Sequence, residues 1–473
     1  MKKILMFALA AVTMLSSCSK EDSGTTPVQG GEAAKLRVSF TIPATVVTTR
    51  ADQAASAEES TVNTAAVYVF DANGIALSQG GFTKFGDTAN GEKAITNLGS
   101  GVYTMSEDIL ALVGNVKIYV GLNMPASVRT AYGTEAALLA ATAGVSFMSN
   151  GEAAAADKFG FTMFTAVKTT ELKDKEDASL AATDGVNVVS MTIDRVVSKV
   201  VASSEKATYT NSWTNGTVLT YTIDGFNVYN EANTSYLVER AATYAPTATN
   251  SVNAYAVSVL KDNKTVGIGE YDTQYNTEAQ RLPLAGYYVG ENKSNASVKG
   301  TTTHAFIATK VAVNQIAKWN GSQVAYETST LGADDDVIVI KHEGATYVTS
   351  TANKTDLLDN LTGSLAYTYH EGYVHFRVWL NKKGNNNYEV GRNEFIHMHI
   401  ESLKQLDGIF PGYPGDETNP DKPIDPESKP GGEGGNNPDP IDPKDPVDGE
   451  DAALNVKITV NPWTYVKNAV ELQ

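Results

Sequence analysis

Apolar and polar residues alternate strictly in two short stretches near opposite ends of this chain. Residues 36–42 read LRVSFTI, and residues 454–460 read LNVKITV. A period of two is typical of a β-strand with one buried face, because successive side chains point to opposite sides of a sheet. The sequence therefore predicts two strands of matching pattern that are separated by most of the chain.

Shorter patterns between these stretches predict an all-β protein with two domains, at residues 51–222 and 223–410. The predicted strands of the two domains lie at residues 67–70, 116–122, 189–193, 226–229, 303–313, 337–340, 373–380 and 394–400. Residues 134–141 are the best candidate for a short helix, with Glu135 near its start. Short strands separated by turn signals favour β-sandwiches.

The composition changes abruptly at residue 411. Ten of the sixteen prolines lie between Pro411 and Pro446, among Asp, Gly and Asn, so residues 411–451 are predicted to form an extended or disordered linker. Residues 452–473 follow, and Asn461-Pro462 is predicted to divide them into two short strand segments. An isolated strand on a tether is unstable alone, so it must complete a sheet in its own subunit or in another.

The first eighteen residues have the pattern of a signal peptide. Lys2 and Lys3 precede an apolar run at residues 4–15, which is too short for a membrane anchor. The run ends just before Cys18, the chain's single cysteine, and this junction resembles the lipobox of bacterial lipoproteins. The alternative is an ordinary signal peptide with a cysteine that has no special role. With one cysteine, the chain has no internal disulfide.

The charge of the chain excludes one class of partner. The 473 residues carry a formal net charge of −17, whereas nucleic-acid binding requires a clustered basic surface. We therefore expect no nucleic-acid partner.

Candidate metal and catalytic residues are few. His370, His375, His397 and His399 lie close in sequence, but a zinc site would need a tetrahedral set, and solvent-facing positions are the favoured interpretation. Residues 334–336 are three aspartates that could bind calcium, but a solvated turn before the next strand is favoured. We expect no metal and no cofactor. No nucleophile motif or phosphate-binding loop is present, so an enzyme is not expected, although paired-carboxylate chemistry stays open.

Taken together, the ordered set of features resembles the fimbrillins of Bacteroidales-type (type V) pili, and specifically their major, stalk-forming subunits. The resemblance rests on the lipobox at Cys18, on Arg50 in a loop after the first strand, on two β domains and on Trp463 near the end. Four internal stretches also resemble sequences of this family, at residues 194–200, 226–230, 373–379 and 391–395.

The resemblance implies a fold and a processing pathway. The fold would be two transthyretin-like β-sandwich domains, preceded by a lipoprotein signal peptide (1–18) and a propeptide (19–50). The precursor would be an outer-membrane lipoprotein with its lipid on Cys18. An Arg-specific surface protease would cut between Arg50 and Ala51. The excised piece would carry away a strand whose buried residues are Leu36, Val38, Phe40 and Ile42.

The C-terminal strand of another subunit would then fill the vacated groove. The candidate donor residues are Leu454, Val456, Ile458, Val460, Trp463, Tyr465, Val466, Val470 and Leu472, and the sequence leaves open which segment enters. Trp463 and Tyr465 could anchor in a neighbour or pack within their own domain.

The expected role is a stalk subunit of a cell-surface fimbrium that serves adhesion and biofilm formation. Its expected partners are further copies of itself and accessory and anchor fimbrillins. Two alternatives remain: a monomeric surface lipoprotein that binds a glycan or a host protein, and an accessory or tip fimbrillin. Tip subunits typically lack a detachable C-terminal donor, so residues 452–473 argue against that role.

Overall fold

The structure is a computed structural model, and it describes the first two strands, the two β regions and the C-terminal strand. The described residues are 33–42, 53–55, 58–77, 82–99, 101–144, 160–173, 187–204, 206–229, 232, 234–239, 269–270, 286–293, 302–380, 382–383, 387–403 and 454–465. The sequence predictions for Cys18, Arg50, Ala51, Val466, Val470, Leu472 and the linker 411–451 lie outside these residues.

The described part of the chain is built mainly from β-strands. The strands of its N-terminal half are β1 (Ala33–Thr41), β2 (Gln53–Ala55), β3 (Ala65–Asp71), β4 (Phe82–Phe85), β5 (Ile95–Gly99), β6 (Val102–Met105), β7 (Ile109–Leu112), β8 (Gly114–Leu122), β9 (Thr142–Gly144), β10 (Met163–Thr165), β11 (Lys168–Leu172), β12 (Val188–Arg195), β13 (Val197–Ser204), β14 (Thr208–Ser212) and β15 (Val218–Tyr229).

The C-terminal half continues in the same way. Its strands are β16 (Thr234–Tyr236), β17 (Gly269–Glu270), β18 (Tyr287–Gly290), β19 (His304–Val313), β20 (Gln315–Trp319), β21 (Val324–Thr328), β22 (Val337–His342), β23 (Ala345–Thr349), β24 (Leu365–Tyr369), β25 (Tyr373–Trp379), β26 (Lys382–Lys383), β27 (Asn387–Tyr388), β28 (Glu394–Leu403) and β29 (Leu454–Tyr465). The prediction of an all-β protein is confirmed.

Two short α-helices carry side-chain caps at their N-termini. Helix α1 (Glu135–Leu139) begins after Thr134, whose hydroxyl accepts a hydrogen bond from the Ala137 amide, within the helix predicted at residues 134–141. Helix α2 (Thr351–Asn360) is capped in the same way by Ser350. It packs through Leu357 on a small core formed with β20 and β22.

A ten-stranded mixed sheet surrounds the first hydrophobic core. Its order is β4-β3-β8-β10-β12-β1-β6-β5, with β11 paired to β8 and β7 paired to β1. β1 and β12 run parallel, and the other pairs of this sheet are antiparallel. Buried apolar side chains of β1, β3, β8 and β12 meet in one core. β1 is therefore an interior strand of the sheet.

Two other sheets share the second core, which is the arrangement of a β-sandwich. One is a six-stranded sheet of order β17-β13-β28-β29-β2, with β18 paired to β13, and the other is the four-stranded sheet β14-β15-β19-β25. Ile396 and Met398 of β28 contribute to this core from one sheet, and Phe226 of β15 and Ile307 of β19 contribute from the other.

The predicted domain boundary between residues 222 and 223 falls inside a strand. β15 crosses it without a break, and Leu219 and Tyr221 of that strand lie in the second core. Asp224-Gly225 has the composition of a hairpin turn, but here it forms a bulge in the pairing of β15 with β19. We therefore propose an earlier boundary, near Val196, where the chain passes from β12 to β13.

Candidate functional site

The first element of the candidate site is β1, which contains the predicted displaced strand. Leu36, Val38, Phe40 and Ile42 are each fully buried, as the alternating pattern predicts, and Ala34 extends the buried row by one position. The intervening residues of β1 are partly exposed. This strand contributes one complete row of side chains to the first core.

Three strands hold β1 through backbone hydrogen bonds. β12 runs parallel along one side, while β7 and β6 pair antiparallel with the first and last parts of the other side. The ladder extends past both ends of the described pairs, because Arg37 N donates to Asn187 O and Ile42 N donates to Gly101 O, each at 3.0 Å. Taking β1 away would leave open strand edges on both sides of a groove.

Side chains of β1 make three further contacts. Arg37 Nε lies 2.9 Å from Asp108 Oδ1, and that carboxylate is 7% exposed. Ser39 Oγ lies 2.7 Å from Ser190 Oγ on the outer surface. The ring of Phe40 stacks on Tyr103 with centroids 5.3 Å apart.

The second element is β29, which contains the predicted donor residues 454–460. It pairs antiparallel with β28 over nearly its whole length, and its last residues pair parallel with β2. The structure corrects the prediction of two strand segments, because β29 runs continuously through Asn461-Pro462 to Tyr465. Pro462 lies opposite Glu394, the first residue of β28, so the missing proline amide falls at the end of that ladder.

β29 is thus part of a sheet within its own chain. Its outer neighbour, β2, has only three residues, and these pair with Trp463, Thr464 and Tyr465. β2 lies three residues after Arg50 in the sequence. The segment that follows the predicted cleavage position and the end of the chain's last described strand therefore lie side by side.

A buried polar cluster fixes the chain just after β2. Glu59 lies in a short 3-10 turn at Glu58–Ser60, and its Oε1 is 2.7 Å from Lys199 Nζ, with both side chains 3% exposed. Tyr288 donates to the same carboxylate oxygen at 2.7 Å. Because Glu59, Lys199 and Tyr288 lie far apart in sequence, the cluster ties the start of the first core to the six-stranded sheet.

Arg195 completes this cluster. Its guanidinium donates to Glu59 O at 2.9 Å, to Ser60 Oγ at 3.0 Å and to Asn393 Oδ1 at 3.2 Å. Burial lowers the pKa of Arg195 to about 10, against the opposing influence of Glu59 and Asp194, so the side chain is cationic at neutral pH. Burial also raises the pKa of Asp194, which accepts a hydrogen bond from Asn393.

The sequence analysis did not identify this cluster. Two cations, Arg195 and Lys199, beside the valines of residues 194–200 were the available signal, because a buried charge requires a partner. The partner Glu59 is 140 residues from Lys199 in sequence, so the pattern alone does not identify it.

The other candidate residues lie on the strand beside β29 or in a surface turn. His397 and His399 lie on β28 with ring centroids 6.2 Å apart, and their partners in β29 are Thr459 and Lys457. Asp335 accepts a hydrogen bond from Gly332 N in a turn before β22, as the solvated-turn interpretation predicts. Among the described residues, no group of three or more His, Cys, Asp or Glu side chains could hold a metal ion. No helix of the described part is long and apolar enough to cross a membrane.

Comparison with known proteins identifies a relationship for the C-terminal region. Residues 367–469 match the family model described as major fimbrial subunit protein type IV, fimbrillin, C-terminal. This range contains β25, β28 and β29. The comparison with curated proteins gives no match.

The solved structures that are similar to this chain include three from two organisms. A candidate cell adhesion protein from Parabacteroides distasonis has 16% identity and a TM-score of 0.48, over 92% of this chain and 98% of that one. A fimbrilin (FimA) from Porphyromonas gingivalis has 15% identity and a TM-score of 0.41, over 92% and 99%. The tip fimbrial protein Mfa3 from Porphyromonas gingivalis has 14% identity and a TM-score of 0.34, over 79% and 96%.

Proposed function

We propose, on the premise that residues 367–469 are the C-terminal region of a fimbrillin, that this fimbrial protein is a stalk subunit that polymerises by strand exchange. In this proposal a protease cuts between Arg50 and Ala51, β1 leaves with the propeptide, and β29 of a second copy enters the groove. The same subunit presents its own β29 to the next copy. The polymer would serve adhesion and biofilm formation.

One observation carries the proposal: β1, which precedes the predicted cut, is an interior strand of the ten-stranded sheet, and its inward-facing row of side chains is fully buried. Burial of Leu36, Val38, Phe40 and Ile42 contributes roughly 6–12 kcal/mol before ordering costs, at about 1.5–3 kcal/mol per side chain. A groove of that apolar content is unfavourable in water. It therefore favours a replacement strand of the same period.

The pattern and position of β29 support its role as the replacement. Its residues 454–460 repeat the alternation of residues 36–42. The preceding linker, residues 411–451, could span on the order of 120 Å in a polyproline II conformation, at about 3.1 Å per residue. That length is sufficient to carry the strand to a neighbouring subunit.

The precursor holds both strands within one molecule. β1 fills the groove, and β29 is paired with β28 and β2. Exchange therefore requires two events, loss of β1 and release of β29 from its own sheet. Neither strand is available to a second copy in this arrangement, so uncut chains would stay monomeric.

The remaining parts of the pathway are proposals from the sequence. The precursor would be an outer-membrane lipoprotein anchored through Cys18, and an Arg-specific surface protease would release the mature subunit. Accessory and anchor fimbrillins would be its other partners in the fimbrium.

A second candidate function has one observation in its favour. Because β29 completes a sheet in its own chain, the protein could remain a monomeric surface lipoprotein that binds a glycan or a host protein. Such a protein would not assemble after proteolysis.

Two truncations test the proposal. We treat purified precursor with an Arg-specific protease and look for heat-resistant ladders in denaturing gels. Deleting residues 452–473 should abolish the ladder, whereas deleting residues 466–473 removes only the segment beyond β29 and should preserve it. Ladders from the longer deletion would exclude a C-terminal donor, and their loss in the shorter deletion would move the donor to residues 466–472.

A substitution at the cleavage position tests activation. Arg50→Lys keeps the positive charge but removes the site for an Arg-specific protease, so this variant should stay uncut and monomeric. Normal ladders from the uncut variant would exclude activation by this cut.

A further inference from the structure

We infer that β29 of a second copy takes the place of β1 in one register and in the same direction, an inference that rests on the proposed function. The geometry pairs each buried position of β1 with one residue of the incoming chain. The equivalences are Ala452 at Ala34, Leu454 at Leu36, Val456 at Val38, Ile458 at Phe40 and Val460 at Ile42.

The first end of the groove selects this register by size. Ala34 is 2% exposed and lies in the first core, so its site has room for a methyl group. A shift of two residues in one direction would place Leu454 there and overpack the site. The opposite shift would place Ala452 at the Leu36 site and leave a void in the core. The inferred register puts alanine on alanine and leucine on leucine.

The other end selects the register through the backbone. Ile42 N donates a hydrogen bond to Gly101 O at 3.0 Å. The shift that places Leu454 at Ala34 also places Pro462 at Ile42, and proline has no amide hydrogen to donate. In the inferred register Val460 supplies this amide, and Pro462 falls two residues past the groove.

The neighbouring strands select the direction. β12 pairs with β1 in parallel, and β6 and β7 pair with it antiparallel, so the two sides of the groove present different hydrogen-bond patterns. A strand that runs in the direction of β1 reproduces both ladders, including the bond from Arg37 N to Asn187 O. A reversed strand would have to exchange the parallel and antiparallel patterns.

At two positions the incoming strand makes poorer contacts than β1. Ile458 replaces Phe40 and cannot stack on Tyr103 as the phenyl ring does. Asn455 replaces Arg37, which takes away the cation that lies 2.9 Å from Asp108. The groove therefore fits the subunit's own strand better than it fits the donor. This difference explains why the covalent link to β1 must be cut before exchange.

Engineered disulfides test the register directly. Ser190 Oγ lies 2.7 Å from Ser39 Oγ on the outer surface, and Lys457 takes the place of Ser39 in the inferred register. A chain cut after Arg50 loses Cys18, its only cysteine, so introduced cysteines react without competition. The test variant is Ser190→Cys with Lys457→Cys, and its matched controls pair Ser190→Cys with Asn455→Cys or with Thr459→Cys.

Oxidised filaments of the test variant should give a covalent ladder in denaturing gels that collapses on reduction, with at least tenfold less crosslinking in both controls. A ladder from either control instead would overturn the register or the direction, while the donor role would stand. Filaments that crosslink with none of the three pairs would overturn both the register and the role of β29 as donor.

Two substitutions in the donor give an independent measurement. Ile458→Phe restores the ring at the Phe40 site and should slow dissociation of the filament in urea by at least tenfold. Val456→Phe is its size-matched control, and it should block assembly because it enters the smaller Val38 site. If Val456→Phe assembles into filaments that dissociate as slowly as those of Ile458→Phe, the inferred register is wrong.

Discussion

β1 and β29 have the same alternating sequence but occupy different surroundings. β1 is an interior strand with neighbours along both sides and a fully buried row in the first core. β29 is paired along one side with β28, whereas on its other side the only described pairing is at its end, with the three residues of β2. The comparison teaches that period two predicts a strand, while topology decides how firmly the strand is held.

The largest expected effect is in the core row of β1. Phe40→Ala removes a fully buried ring, and we expect the precursor to lose about 3–5 kcal/mol of unfolding free energy. The neighbouring Thr41→Ala, which faces outward, should change it by less than about 0.5 kcal/mol. Urea unfolding of both variants measures the difference, and equal midpoints would show that β1 is not a core strand.

The next effect concerns the segment that follows the predicted cut. Ser60→Ala removes the hydroxyl that accepts a hydrogen bond from the buried Arg195, and we expect a loss of about 1.5–3 kcal/mol. If the cluster holds this segment independently of β1, the same loss should appear in the intact and the cut chain. An effect confined to the intact chain would contradict that independence.

Hydrogen exchange compares the two strands without a substitution. Amides of β29 should exchange at least tenfold faster than those of β1 in the precursor, a difference of about 1.4 kcal/mol, because a strand near a sheet edge opens locally before the core does. Mass spectrometry of peptides that cover residues 33–42 and 454–465 measures it. Equal protection would show that release of β29 requires unfolding of the whole sheet.

The smallest expected effect is at the surface of β1. Arg37→Ala removes the ion pair with Asp108 and should lower the stability of the precursor by about 1 kcal/mol or less, because the Arg37 side chain is 34% exposed. The loss should shrink in high salt. A salt-independent loss of several kcal/mol would place the pair among the core contacts instead.

The sequence predicts individual strands better than their connections. Strict alternation is sufficient to predict β1, and Thr134 marks the start of α1, since both signals are local. The Asn461-Pro462 break was wrong, because β29 is continuous there, and the predicted boundary at 222/223 stays a prediction that falls inside β15. Proline and Asp-Gly are local turn signals, but pairing with β28 and β19 retains both segments in continuous strands.

The polar cluster was unpredictable for a different reason. Arg195 and Lys199 are visible in the sequence as charges among valines. Their shared partner Glu59 accepts from Arg195 with its backbone carbonyl and from Lys199 with its carboxylate, and it is reached only when distant strands come together. The parallel pairing of β1 with β12 is equally non-local. Local sequence patterns predict which residues are buried, whereas the contacts that these residues make depend on the whole fold.

The parallel contact between β2 and the end of β29 has a practical consequence for anyone who labels this molecule. A chain that begins at Ala51 would have its first described strand, at Gln53, directly beside Trp463 near its other terminus. A tag, a dye or a bulky carrier attached directly before Gln53 or directly after Tyr465 would thus crowd the same edge of the six-stranded sheet. Labels placed in the hairpin between β20 and β21, for example at Ser322, lie instead on a separate two-stranded sheet.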